Sequence, residues 1–557
     1  MVRRMIGLVY KEITGLHQAA YVLALFAFGS QILALLRDRL LANEFGAGAT
    51  LDIYYAAFRI PDLLFVLFAS TLSVYVLMPF VAARAKKGDE TGASALLAQL
   101  ATLFLIGYTA LAGVIFMLAP QLTNWLFPDI TDQALLVLVL RILLIQPLLL
   151  GFSTLFGVVT QYHHRFVLFA ISPLLYNLGI IFGIVFLYPW VGLSGVAYGV
   201  LLGAIGHLLV QWPLVRGSAF RFGLTTGFDW VVLKAVLLVS IPRAVTLSIN
   251  QIVLLVLVSM ASAMTVGSVS VFQFAYNLQS VPLAIIGVSY SVAAFPTLAK
   301  LFAGNDMERF QTHIITALRH VLFWSVPVIG LCIVLRAQLV RVILGSGSFN
   351  WEDTRLTAAV FALLILSLLA HCINLLLVRA FYAGGNTFTP LWTSFVTALV
   401  AITSAYGAHA AYVSNEVFQK SVASALRVSD VAGTEVLVLA LVYSLALMVQ
   451  SILLFVLAGR HFTLPLRTLS APLLRALFAT TCGVVSAYGA LQFFVAGLNV
   501  ETFIGIFLQG LLAGLCGLVG VILGYAVVNS PELHEVSRAL SRKIFKTDVI
   551  APQKSVL

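Results

Sequence analysis

Charge is scarce in this chain: Asp, Glu, Lys and Arg make up only 10% of its 557 residues, too little to coat a soluble domain of that size. Cysteine is nearly missing, with Cys332, Cys372, Cys482 and Cys516 each isolated in an apolar stretch, none in a CxxC pair and none beside a histidine cluster. Neither a disulfide, a metal site nor a cofactor is expected from that pattern. A phosphate-cradling glycine loop, an HExxH helix and a Ser-His-Asp set are lacking too, so an ATP-driven pump is not expected within this chain. No acidic or histidine pair is suitably placed at a span end for catalysis, which argues against a membrane-embedded glycosyltransferase or acyltransferase. What remains is apolar: 61% hydrophobic residues and a mean hydropathy of +1.05. Runs of about eighteen or more such residues recur from end to end, the mark of an all-α polytopic membrane protein. Lys and Arg outnumber Asp and Glu 32 to 21. They lie in short loops between apolar runs, so the excess describes topology and not a nucleic-acid partner.

The twenty-residue criterion gives about fourteen spans, near 19–42, 53–80, 93–119, 133–158, 166–188, 192–214, 231–261, 268–297, 314–335, 355–381, 388–412, 433–459, 470–496 and 503–528. The first is too long for a signal-peptide core and reads as a retained helix. Basic loops alternate: Arg3, Arg4 and Lys11, then Arg84, Lys86 and Lys87, Arg165, Arg216 and Arg221, Lys300 and Arg309, Arg379, Arg460 and Arg467, and the run from Arg538 to Lys546 fall on one side. The positive-inside rule makes that side cytoplasmic and places both termini there. Residues 1–18 read as an amphipathic surface segment. A weak internal repeat relates Ser73–Pro79 to Ser289–Pro296 and Ser172-Pro173-Leu174 to Thr389-Pro390-Leu391, with one offset for both proline pairs. The expected organisation is a first six-helix lobe over 19–230, a second over 231–460, two further helices over 461–528 and a cytoplasmic tail over 529–557.

Against this apolar background a few charges stand at membrane depth, where each costs on the order of 2.5–3.5 kcal/mol on insertion scales. Arg37-Asp38-Arg39 closes the first span and Arg59 lies in the second. Arg37 and Asp38 are adjacent and point about 100° apart on a helix, so Asp38 is expected to pair with another span, Arg59 first. In the seventh span Pro242-Arg243 is followed by Ser248, Asn250 and Gln251; the eighth carries Gln273, Asn277 and Gln279, and the tenth His371 and Asn374. Mainly basic charges at depth point to a wet cavity for an anionic substrate. Arginine suits a phosphate because its planar fork donates two parallel hydrogen bonds. A bland reading stands beside this one: the arginines snorkel to headgroups, Arg243 serves the backbone freed by Pro242, and the amides only join helices.

Arg37–Ala42, Phe45–Ala49, Asp52 and Ala57–Leu64 resemble the opening signature of the MurJ (MviN) lipid II flippases. Supporting matches are His164-Arg165-Phe166 with Pro173–Asn177, Phe295–Leu298, and Arg379–Ala383 with Thr387–Pro390. The resemblance implies the multidrug/oligosaccharidyl-lipid/polysaccharide exporter fold, two lobes around a cationic cavity, and alternating access that carries lipid-linked peptidoglycan precursor to the outer leaflet. It also implies that the last two helices, the final one glycine-rich at Gly510, Gly514, Gly517 and Gly520, form a groove for the polyprenyl tail. The chain departs from the family at Gln31, Phe65-Val66, Ala69-Ser70-Thr71 and Tyr276-Asn277, where the family usually has arginine, an arginine pair, an Ala-Glu-Gly run and Asp-Arg. The expected substrate-binding set is Arg37, Asp38, Asp52, Arg59, Arg243, Asn250, Gln251 and Asn277. The expected partners are a lipid-linked anionic glycan, the bilayer of a bacterial inner membrane and cell-wall synthesis proteins, around a monomer. Three rival readings are an exporter of another lipid-linked oligosaccharide, a drug or cation antiporter, which would want more acid at depth than Asp38, and a non-transporting scaffold with a dry core.

Overall fold

The computed structural model describes residues 16–70, 72–85, 90–218, 220, 222–223, 225–495 and 502–544, and among them there is helix and turn but no strand. The amphipathic segment expected over 1–18 falls almost wholly outside the described residues, as does the tail past residue 544. The principal helices are α1 (Leu16–Phe45), α2 (Ala49–Ala69), α3 (Val74–Ala85), α4 (Glu90–Leu126), α5 (Gln133–Leu143), α6 (Gln146–Tyr162), α7 (Phe166–Phe182), α8 (Leu193–Leu209), α9 (Trp230–Ser262) and α10 (Ser268–Leu283). They continue as α11 (Ser289–Ala303), α12 (Met307–Val334), α13 (Trp351–Ile365), α14 (Leu368–Ala383), α15 (Phe388–Ser414), α16 (Val436–His461), α17 (Ser470–Val495), α18 (Phe503–Val527) and α19 (Pro531–Ile544).

Helix starts are set by side chains that accept from an otherwise orphaned N–H. Asp132 accepts from Leu135 at 2.9 Å, Asp229 from Val232 at 3.3 Å, Asp306 from Arg309 at 3.2 Å and Thr502 from Gly505 at 3.1 Å. Eleven described helices are long and apolar enough to cross a membrane, or twelve when the pair α13 and α14, bent by 43°, counts as one span. Several expected spans are interrupted: 53–80 is divided into α2 and α3, 133–158 into α5 and α6, and 355–381 breaks between Ile365 and Leu368. Helices α1 and α2 stand outside the count of eleven, and they carry Arg37, Asp38 and Arg39, and Asp52, Arg59 and Asp62.

The chain forms two compact units: residues through Val281 with 343–364 and 386–450, and residues 282–342, 365–385 and 451 onward. In the first, Leu97, Phe104, Tyr108, Leu155, Val159 and Leu233 belong to one buried apolar cluster. Helices α7 and α8 meet there backbone to backbone: a Cβ on Gly179 would lie 2.2 Å from the Gly203 Cα, and one on Gly199 2.4 Å from the Gly183 Cα. Small residues permit this approach, which in lipid replaces the absent hydrophobic drive between helices.

In the second unit Phe310, Leu318, Phe323, Phe381, Phe462 and Tyr525 are part of one core. Helices α17 and α18 form a tight pair whose small-residue edges are closed on each other. A Cβ on Gly524 would come 2.7 Å from the Ala479 Cα, and one on Gly483 2.4 Å from Val521. Gly517, Gly520 and Gly524 are therefore spent on helix packing. Helix α19 is tied down by Glu532, which accepts from Arg319 of α12 at 2.6 Å and from the Ser530 hydroxyl at 2.7 Å, and by a His320–Glu535 contact at 3.1 Å.

Candidate functional site

The site is a run of polar side chains inside the first unit. Arg37 on α1 donates to Asp38 Oδ1 through Nε at 3.0 Å and through its second terminal nitrogen at 2.7 Å. The other terminal nitrogen reaches Asn177 Oδ1 on α7 at 3.2 Å. Asn177 in turn donates to the Ser30 hydroxyl at 3.3 Å and to the Pro173 carbonyl at 3.1 Å. Asp38 is 3% exposed, and its second oxygen accepts from Asn277 of α10 at 3.0 Å. The Asn277 carbonyl accepts from Gln273 at 2.6 Å, and the Gln273 carbonyl accepts from Arg59 of α2. Seven side chains on four helices thus form one connected network, in which each bond polarises the next.

Asp38 pairs with Arg37 and not with Arg59, against the expectation from helical geometry. The two Cβ vectors do diverge, but the flexible arginine stem folds along the helix until its guanidinium meets the neighbouring carboxylate. Arg59 turns to Gln273 instead, and its Nε is buried with no hydrogen-bond partner among the described residues. Tyr54 and Tyr55 of α2 lie within electrostatic reach of Arg37, and Asp62 within reach of Arg59. Two cations and two carboxylates therefore share this region.

Asp52 belongs to a different construction. It accepts from the Gly267 N–H at 2.7 Å, the Ser270 N–H at 2.8 Å and the Ser270 hydroxyl at 2.5 Å, which seals the start of α10. Gly267 holds φ +93°, and a Cβ there would stand 2.2 Å from the Ala47 carbonyl, so glycine is required on both counts. Arg243, Asn250 and Gln251 are half-buried on α9, which packs against α2. Arg39 reaches toward the Ile343 carbonyl at 3.5 Å. Arg141 donates to the Phe116 carbonyl at 3.1 Å and sits 4.6 Å over that ring, and His207 meets the Ser153 hydroxyl at 2.6 Å. These last contacts join helices.

The expected set held Arg37, Asp38, Arg59 and Asn277 and missed Ser30, Asn177 and Gln273 as members. Asn177 stands one turn past Pro173 as an amide in a largely apolar run, a pattern shared by amides that only join helices.

Solved structures share this architecture. One described as "Lipid II flippase MurJ, inward closed conformation" superposes with a TM-score of 0.70 at 20% identity, over 91% of this chain and 99% of that one. An inward-facing multidrug resistance MATE transporter of the MOP superfamily gives 0.62 at 17% identity, over 79% and 96%. Both likenesses show the fold: a polytopic bundle of helices of the kind these two structures share. The family model described as "Lipid II flippase MurJ" matches residues 41–508, and the chain belongs to that family. A relative from Rhizobium tropici named "Probable lipid II flippase MurJ" is 26% identical over 388 residues, 68% of this chain and 72% of that protein. The resemblance read from Phe45–Ala49 and Ala57–Leu64 is borne out by this match. With its eleven or more apolar helices, the protein resides in the bacterial inner membrane.

Proposed function

We propose that this protein is a flippase that carries lipid II, a polyprenyl-pyrophosphate-linked peptidoglycan precursor, from the inner to the outer leaflet by alternating access. The observation that carries the reading is the pair of arginines held at depth: Arg37 and Arg59, hydrogen-bonded to side chains of α7 and α10 inside a chain that is 61% hydrophobic. Guanidinium groups at such depth are costly unless a functional anion or cavity keeps them, and a pyrophosphate is matched by their paired donors. Arg243, Asn250 and Gln251 on α9 complete the proposed cargo set, which Asn277 serves through its bond to Asp38. Asp52 serves it indirectly by fixing α10.

Alternating access in this reading works the halves 19–230 and 231–460 against each other, with both termini cytoplasmic. The isoprenoid stays in lipid along the outer faces of α17 and α18. The protein acts as a monomer and hands cargo to cell-wall synthesis proteins on the outer side. Arg37→Ala or Arg243→Ala is expected to abolish complementation of a flippase-depleted bacterium without lowering protein level, and leaflet-resolved assay should find precursor retained in the inner leaflet. Normal growth and normal precursor distribution with both variants would remove these arginines from the mechanism.

A further inference from the structure

Arg37 already holds an anion, and that anion is part of the protein. The Asp38 carboxylate takes two of the guanidinium's donors on one oxygen and the Asn277 amide on the other. The Asp38 side chain is 4% exposed while that of Arg37 is 20% exposed, so the cation can be approached from a side that its partner does not cover. Resting on the flippase reading above, we propose that Asp38 is the resident anion of the site, and that a cargo phosphate displaces it from Arg37. Asp38 is then a positioning residue whose grip sets how readily cargo engages.

The network gives that exchange a consequence. Asp38 orients Asn277, Asn277 orients Gln273, and Gln273 holds Arg59. Moving the carboxylate leaves Asn277 without its acceptor, and the amide relay that fixes Arg59 loses its anchor at the far end. Engagement of a phosphate at Arg37 thereby frees Arg59 to meet the same anion, while α1 and α10 lose their hydrogen-bonded link. A carboxylate and a phosphate oxygen compete for the same two donors on like terms, and the exchange makes or breaks no covalent bond. The pair therefore holds the empty site shut without trapping the cargo.

The test uses the full chain, purified and reconstituted, with inorganic pyrophosphate and an undecaprenyl pyrophosphate lipid as probes. Asp38→Asn keeps the shape and removes the competing charge. It should bind both probes about tenfold more tightly, the factor expected from losing one charge-assisted competitor, while moving the lipid more slowly than wild type. Asn277→Ala, which removes one hold on Asp38 and leaves the Arg37–Asp38 pair intact, should shift binding in the same direction by about threefold. If Asp38→Asn does not fold, the Asn277→Ala measurement decides alone. Unchanged or weaker binding in the folded variants, with wild type binding and moving the lipid normally, overturns the exchange and leaves the flippase reading standing. A wild-type protein that neither binds pyrophosphate nor moves the lipid overturns both.

Discussion

Three donors converge on Asp52, and at the scale of single residues this is the clearest case of a buried charge with a structural task. Asp52→Ala strands the Gly267 and Ser270 amides and the Ser270 hydroxyl, and a stranded buried donor costs about 1–3 kcal/mol. Thermal unfolding of the purified protein should register that loss, and Ser270→Ala, which keeps both backbone bonds, should cost less. Arg37, Asp38, Arg59 and Asn277 were legible in the sequence because a charge or amide stands out in an apolar run. Their pairing was not legible: it depends on how far an arginine stem bends and on an intervening Gln273, neither of which helical spacing encodes. Asn177 looks from sequence like any amide that joins two helices, and only its bond to Arg37 separates it from His371 or Gln279.

Among elements, long apolar runs announced themselves while their interruptions did not. The break after Ile365 falls at Leu366-Ser367, a stretch with no proline or glycine to signal it. Backbone contact between α7 and α8 yields a paired prediction. Gly203→Ala would drive a methyl to 2.4 Å from the Tyr176 carbonyl, whereas at Gly206 the nearest atom is Leu175 Cβ at 3.5 Å. The first substitution should destabilise by about 1–3 kcal/mol as overpacking does and the second should be nearly silent, both read by thermal unfolding. Helix α19 supplies a pH dependence. Burial pushes the Glu532 carboxyl up, but the Ser530 hydroxyl, its backbone amide and the Arg319 guanidinium outweigh that and hold it below the usual glutamate range. A lowered folded value means stability that is present at neutral pH and lost as pH falls through that range. Glu532→Gln should therefore lower the melting temperature at pH 7 and flatten its decline toward pH 4, as followed by melting curves across that interval.

For the molecule as a whole, sign of charge separates an anion carrier from its structural relatives. With Arg37 and Arg59 inside the apolar helices and Asp38 and Asp52 committed to internal partners, the reconstituted protein should move a pyrophosphate-linked lipid and leave a lipophilic cation where it is. Counter-transport of such a cation, measured in the same vesicles, would reverse that assignment. The exporter class was legible from composition and the RDR and FRIPD blocks together. The division into compact units was not, because contact density depends on how helices lean, which hydropathy leaves open.

The glycine seams carry a mechanical consequence. Where two backbones touch with no side chain between them, there is nothing to re-seat at a new register, so α7 with α8, and α17 with α18, behave as stiff twin planks. Deformation must fall on helices joined by longer, re-pairable groups, and α1, fastened through Ser30, Arg37 and Asp38, is held in that way.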